Sequence, residues 1–132
     1  MRVLALDYGS ARTGVAVSDP TGTVARPIEV VERAGTEAGL SRIAELVREH
    51  EAERVIVGLP LTMRGERGEQ AAETEQFVSV LRKTLHVPVE SFDERFTTDL
   101  AEQTSGSVHA SDARAAAHLL SSYLTWSRNA PR

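Results

Sequence analysis

The chain has 132 residues, 41% of them hydrophobic and 5% aromatic, with a formal net charge of -4 and no cysteine. That is the usual size of one domain with enough apolar residues for a core, so disorder over most of the length is excluded. So are disulfides and thiolate metal sites, and an acidic chain is a poor candidate for coating nucleic acid by bulk electrostatics.

No apolar run approaches the roughly 20 residues needed to span a bilayer. Asp7 interrupts the first apolar stretch, which is too short for the core of a signal peptide. A cytoplasmic protein is expected. In chain order, Val3 to Leu6 is a short apolar run ending at Asp7 and Gly9, a buried strand entering a turn. Gly14 to Ser18 is a second strand, closed by Asp19, Pro20 and Gly22, and Ala25 to Val31 is a third. Only short turns separate them, which predicts an antiparallel meander. From Thr36 to Glu49 the period becomes helical through Leu40, Ile43, Ala44 and Val47. Val55 to Gly58 reads as another buried strand. Ala71, Thr74, Phe77, Val78 and Leu81 mark a second helix. Val87 to Val89 leads into a strand ending near Asp93 and Glu94, and Thr97 to Gln103 reads as a short helix. Ser105 to Ala110 reads as a polar, mobile loop, and Ala113, Ala116, Ala117, Leu120 and Leu124 mark the closing helix. A meander followed by alternating strands and helices predicts an α/β fold: a five-stranded mixed sheet, its later strands parallel, with helices on its faces. One domain over residues 1–127 is expected, with residues 128–132 as a flexible tail.

Three places in this pattern can carry chemistry. Asp7 ends a buried strand, where a carboxylate is costly unless metal or backbone N–H groups compensate it. Gly9 allows a tight turn beside it and close approach of a phosphate. The structural alternative is an Asp capping a β-turn. Asp93 and Glu94 follow a later strand; adjacent acids point to opposite sides if the strand continues, so at most one of the two faces the site. Asp112 stands near the start of the last helix, where Ser111 or Asp112 also suits an N-cap. Together these acids can converge at one edge of an α/β sheet. Hard oxygen ligands without cysteine select Mg²⁺ or Mn²⁺, and a two-metal site would clamp an in-line phosphoryl displacement. The Gly58 to Gln70 stretch adds Arg64 and Arg67 in a glycine-containing loop of a kind that can bind phosphate. It lacks the Walker pattern. Arg12 lies in the first turn, and Arg95 beside the second acids. The four histidines are scattered and read as incidental, with only His109 close to Asp112; Tyr123 and Trp126 read as packing residues.

Four stretches, in order, resemble the YqgF/RuvX family, whose members are described as Holliday-junction resolvases and as nucleases maturing the 5′ end of pre-16S rRNA. They are Asp7-Tyr8-Gly9 through Arg12, Gly14 and Ser18-Asp19; Val57-Gly58-Leu59-Pro60 with Gly65, Gly68 and Gln70; Asp93-Glu94-Arg95 with Thr97-Thr98; and Asp112-Ala113 with Ala116, Leu120 and Tyr123-Leu124. The resemblance covers Arg2 to about Leu124. It implies an RNase H-like fold with one catalytic acid from each of the first, third and last motifs: Asp7, Glu94 or Asp93, and Asp112. Glu94 is favoured as the second metal ligand because related nucleases place Glu at this strand end. Where family members often carry lysines before the last acid, this chain has Ser105-Gly106-Ser107-Val108-His109-Ala110.

The resemblance therefore implies a metal-dependent nuclease, a hydrolase of phosphodiester bonds, acting on pre-16S rRNA in ribosome biogenesis or, alternatively, on Holliday junctions in DNA. Both a monomer and a homodimer stay open. Two other classes compete. A phosphotransferase of the actin and sugar-kinase type also opens on a strand, an Asp and a glycine turn, but needs a second domain that 132 residues cannot supply. A non-catalytic ribosome or nucleic-acid binding module would keep the fold without the chemistry.

Overall fold

A computed structural model describes residues 1–60, 68–93 and 108–129, with side chains in the last stretch from Ala113 to Arg128. The strands are β1 (Val3–Asp7), β2 (Arg12–Ser18), β3 (Ala25–Glu32), β4 (Arg54–Leu59) and β5 (Val89–Asp93). Helix α1 (Glu37–Glu49) precedes β4, α2 (Glu69–Thr84) precedes β5, and α3 (Val108–Asn129) closes the chain.

The five strands form one sheet in the order β3-β2-β1-β4-β5. The short turns after β1 and β2 give antiparallel pairs, whereas β1 with β4 and β4 with β5 are parallel. Helices lie in both parallel crossovers, as parallel pairing requires. The mixed sheet expected from the sequence is therefore present, and β1 is its central strand.

That position explains the unbroken apolar run of β1. Leu4 and Leu6 face one layer and Val3 and Ala5 the other, all of them buried. On the first face they pack with Val15, Val55 and Val57 against Ile43 and Leu46 of α1 and Phe77 and Leu81 of α2. On the second, Val3, Ala5, Ala16, Ile56 and Phe92 meet Ala116, Leu119, Leu120, Tyr123 and Leu124 of α3. Each large aliphatic side chain so buried contributes about 1.5–3 kcal/mol. Helix α1 starts where Thr36 Oγ1 accepts the Gly39 N–H at 3.2 Å, a side-chain N-cap.

Three boundaries differ from the sequence reading, two of them in α3. Val108 to Ala110 belong to α3 rather than to a loop, which makes Asp112 the fifth residue of that helix and not its cap. The helix also continues through Arg128 to Asn129. In both places propagation from the packed alanine-rich centre carries the helix past the local polar signals, because adding a turn to a formed helix costs far less than starting one. Strand β2 likewise begins at Arg12, two residues before the apolar run, because pairing extends to Glu32 of β3. The short helix expected over Thr97 to Gln103 lies outside the described residues.

Candidate active site at the end of the central strand

Strands β1, β4 and β5 run parallel, so their C-terminal ends share one edge of the sheet. Asp7 is the last residue of β1 and Asp93 the last of β5. In sheets of this kind the crevice beyond the carboxyl ends of the strands is where ligands bind.

The turn after Asp7 is tightly built. A Cβ on Gly9 would lie 2.5 Å from the backbone oxygen of Arg12, so only glycine fits without moving the chain. Fully buried Thr13 ties the turn from below: its Oγ1 accepts the Gly9 N–H at 3.4 Å and donates to the Gly9 carbonyl at 3.3 Å. The Arg33 N–H donates to the Ala11 carbonyl at 2.9 Å. Tyr8 leaves on the opposite face and stacks on Phe77, with ring centroids 4.3 Å apart. Asp7 therefore stands between a packed strand and a constrained turn.

Register decides what surrounds its carboxylate. Asp7 pairs with Gly14 on β2, and Leu6 pairs with Val57 on β4, so Gly58 is the next position on that side. Alternation along the strands puts Asp7, Gly14 and Gly58 on the face of Ala5, Ala16 and Ile56, the face that α3 covers. The carboxylate thus has a residue without a side chain on each neighbouring strand. Arg12, two residues before Gly14 on β2, shares the face. The sequence reading assigned Asp7 and Gly9 but gave Gly14 and Gly58 no role beside the acid; strand register was the signal that identifies them.

The second acid is constrained by the same alternation. Phe92 lies on the α3 face and Val89 on the other. Asp93, four residues after Val89, therefore shares the face of Val89 and is turned from Asp7. Glu94, Arg64, Arg67 and Arg95 lie outside the described residues. Asp112 is described only as a backbone position in the second turn of α3. Among the described residues no three acidic or histidine side chains come together as a metal-binding group.

The acid of the opening motif that follows Ser18 belongs elsewhere. Asp19 sits at the opposite edge, in the turn between β2 and β3, where its carboxylate accepts the Thr23 and Val24 N–H groups at 2.7 and 3.0 Å. Hydrogen bonding from the Thr21 hydroxyl, with those N–H groups, lowers its pKa to about 2. Its work is to close a turn. Arg54, at the start of β4, donates to the Tyr123 hydroxyl at 2.8 Å and lies 3.6 Å from Glu90, which fixes α3 against the same far edge. Phe92, Tyr123 and Trp126 form one aromatic cluster, with Tyr123 buried, in keeping with a packing role.

The family model described as "RuvX: Holliday junction resolvase" matches residues 1–126. The chain belongs to the RuvX family. A relative from Chloroflexus aggregans, named "Putative pre-16S rRNA nuclease", is 42% identical over 96% of this chain and 95% of its own. A relative of the same name from Syntrophomonas wolfei is 37% identical over 94% of each. Among solved structures, RuvC of T. thermophilus in complex with a Holliday junction superposes with a TM-score of 0.64 at 20% identity, covering 97% of this chain and 95% of that one. The fowlpox virus resolvase bound to junction DNA gives 0.57 at 12%, covering 95% and 97%. The RuvX chain therefore has the RNase H-like fold of the RuvC-type resolvases, and its family is one of nucleases, hydrolases acting on ester bonds.

Proposed function

We propose that this RuvX protein is a divalent-metal-dependent endonuclease that processes the 5′ end of pre-16S rRNA in the cytoplasm, with Asp7, Glu94 and Asp112 as its metal-holding acids. The observation that carries this reading is Asp7 itself. It is a carboxylate at the carboxyl edge of the central strand, with Gly14 and Gly58 beside it on the face covered by α3. The donor chemistry fits a hard cation: oxygen ligands, no cysteine in the chain, and no side chain on either flanking strand position. Mg²⁺ or Mn²⁺, as a pair, would supply charge stabilisation and a more acidic attacking water.

Glu94 is preferred to Asp93 because strand alternation turns Asp93 away from the face of Asp7. Asp112 stands four residues, about one helical turn, before Ala116, which packs on that same face. Arg12, Arg64, Arg67 and Arg95 hold substrate phosphates around the acids, and Gly9 lets a phosphate approach the backbone. An acidic protein that binds a polyanion needs such local positive charge, and Arg matches phosphate through paired hydrogen bonds. Among the described residues no helix is long and apolar enough to cross a membrane.

The relatives' name supports pre-16S rRNA as the substrate. The second reading, a resolvase of branched DNA, is favoured by the family's description and by the junction-bound structures of the same fold. It requires a symmetric dimer, since two equivalent strands must be cut, whereas rRNA processing can proceed on a monomer. Matched pre-16S rRNA and four-way-junction substrates, incubated with Mg²⁺ or Mn²⁺, separate the two. Cleavage of the rRNA precursor at its 5′ end with the junction left intact is expected. Cleavage of the junction alone would reverse the assignment, and cleavage of neither would favour a non-catalytic binding module.

A further inference from the structure

The sheet carries a second concavity far from Asp7. Arg2, Val17, Asp19, Val24, Arg26 and His50 contribute to a cavity of about 280 Å³ between the C-terminal end of α1 and the far edge of β2 and β3. Val17 pairs with Leu4 on one side and Arg26 on the other, and Leu4 packs against α1 and α2. The cavity is thus on the α1 side of the sheet, whereas Asp7 is on the α3 side. Along β1, Arg2 and Asp7 are five residues apart, about 17 Å.

Two arginines and a histidine line this cavity. Arg42 is spent on Glu29, Glu45 and Glu49, and Arg54 on Glu90 and Tyr123. Among the described residues, by contrast, Arg2 and Arg26 form no ion pair. Arg26 is exposed at the edge strand. Arg2 donates from Nη1 to the His50 carbonyl at 3.0 Å, which leaves its other N–H groups directed elsewhere. That one bond also covers the carbonyl end of α1, the negative pole that would otherwise repel an anion. Asp19, the acid of the cavity, has its oxygens engaged by Thr21, Thr23 and Val24 within its own turn.

We propose that Arg2, Arg26 and His50 form a binding site for a phosphate oxyanion, separate from the catalytic edge. Arg2, Arg26 and His50 line one cavity, and side chains of these types suit tetrahedral oxygens, Arg in particular binding them bidentately. The phosphate comes either from the backbone of a nucleic acid or from a free phosphate-bearing small molecule. The first source rests on the nuclease reading; the site itself does not.

The test uses the full chain carrying Asp7→Asn, so that substrate persists. In one arm, inorganic phosphate is titrated while the His50 ring and the Arg2 and Arg26 amides are followed by NMR. Saturable shifts are expected, reduced in Arg26→Gln, whose exposed side chain can be changed without touching the core. In the other arm, labelled duplex RNA is bound across a salt series to the protein with and without Arg2→Gln/Arg26→Gln. If the backbone is the source, affinity falls several-fold and the salt slope flattens by about one per arginine. Phosphate shifts with an unchanged RNA slope assign the site to a free phosphate. A weakened RNA slope without phosphate shifts keeps the backbone as source. Absence of both effects overturns the site. Near-normal cleavage by the Asp7→Asn protein would count against the nuclease assignment and leave the phosphate result standing.

Discussion

Asp7 is the residue on which the proposed chemistry depends most. Asp7→Asn keeps shape and volume while removing a charged ligand, so cleavage should fall about 100- to 1000-fold, the equivalent of several kcal/mol of charge stabilisation. The thermal midpoint should stay near that of the parent, and near-normal cleavage would reject the assignment. The adjacent acids supply a sharper comparison. Glu94→Gln is expected to abolish cleavage, and Asp93→Asn, turned to the other face, to leave most of it; the opposite ranking in single-turnover rates would exchange their roles. Asp19 offers a test unconnected with catalysis. Its folded pKa of about 2 lies below the ordinary 3.8, so the stabilisation it brings is complete above pH 4 and is lost as pH falls through 2. Urea midpoints of the parent and Asp19→Asn proteins should therefore differ at neutral pH and converge between pH 4 and 2.

At the scale of elements, the turn between β1 and β2 is the most demanding piece. Gly9→Ala forces a Cβ against the Arg12 carbonyl and must displace the turn that follows Asp7. A loss of about 1–3 kcal/mol in denaturant unfolding is expected, together with weakened cleavage. Unchanged stability would mean that the turn can yield. The strands were legible because their apolar runs are short and punctuated by Gly, Pro and Asp, and the meander followed from the brevity of the turns. The start of α3 was not. Ser111 and Asp112 look like a cap in sequence, but the apolar stripe through Ala116, Leu119 and Leu120 holds the helix to the sheet and lets it extend one turn further. Asp7 could be singled out because a carboxylate ending a buried strand needs an explanation. The glycines flanking it could not, because Gly14 and Gly58 become its neighbours only through pairings with β2 and β4 that no local pattern specifies.

For the whole molecule, one sheet with helices on both sides separates two duties. The α1 and α2 side holds most of the large aliphatic core, whereas the α3 side combines small residues near Asp7 with the aromatic cluster at its far end. Removing divalent metal with EDTA should stop cleavage, and Mg²⁺ or Mn²⁺ should restore it; persistence of full activity in EDTA would exclude the proposed metal site. Helix α3 is the only described element covering its side, and Leu120→Ala at its fully buried centre should cost about 2–5 kcal/mol in unfolding experiments. The central place of β1 also has a consequence for synthesis on the ribosome. Asp7 emerges among the first residues, but its strand acquires its second neighbour only with β4, and its face stays bare until α3 has been made. At 5–20 residues per second, roughly 6 to 23 s separate residue 7 from residue 124. Throughout that interval the nascent chain carries Asp7 without the helix that covers its face, so any activity built on that face is assembled only when translation is nearly finished.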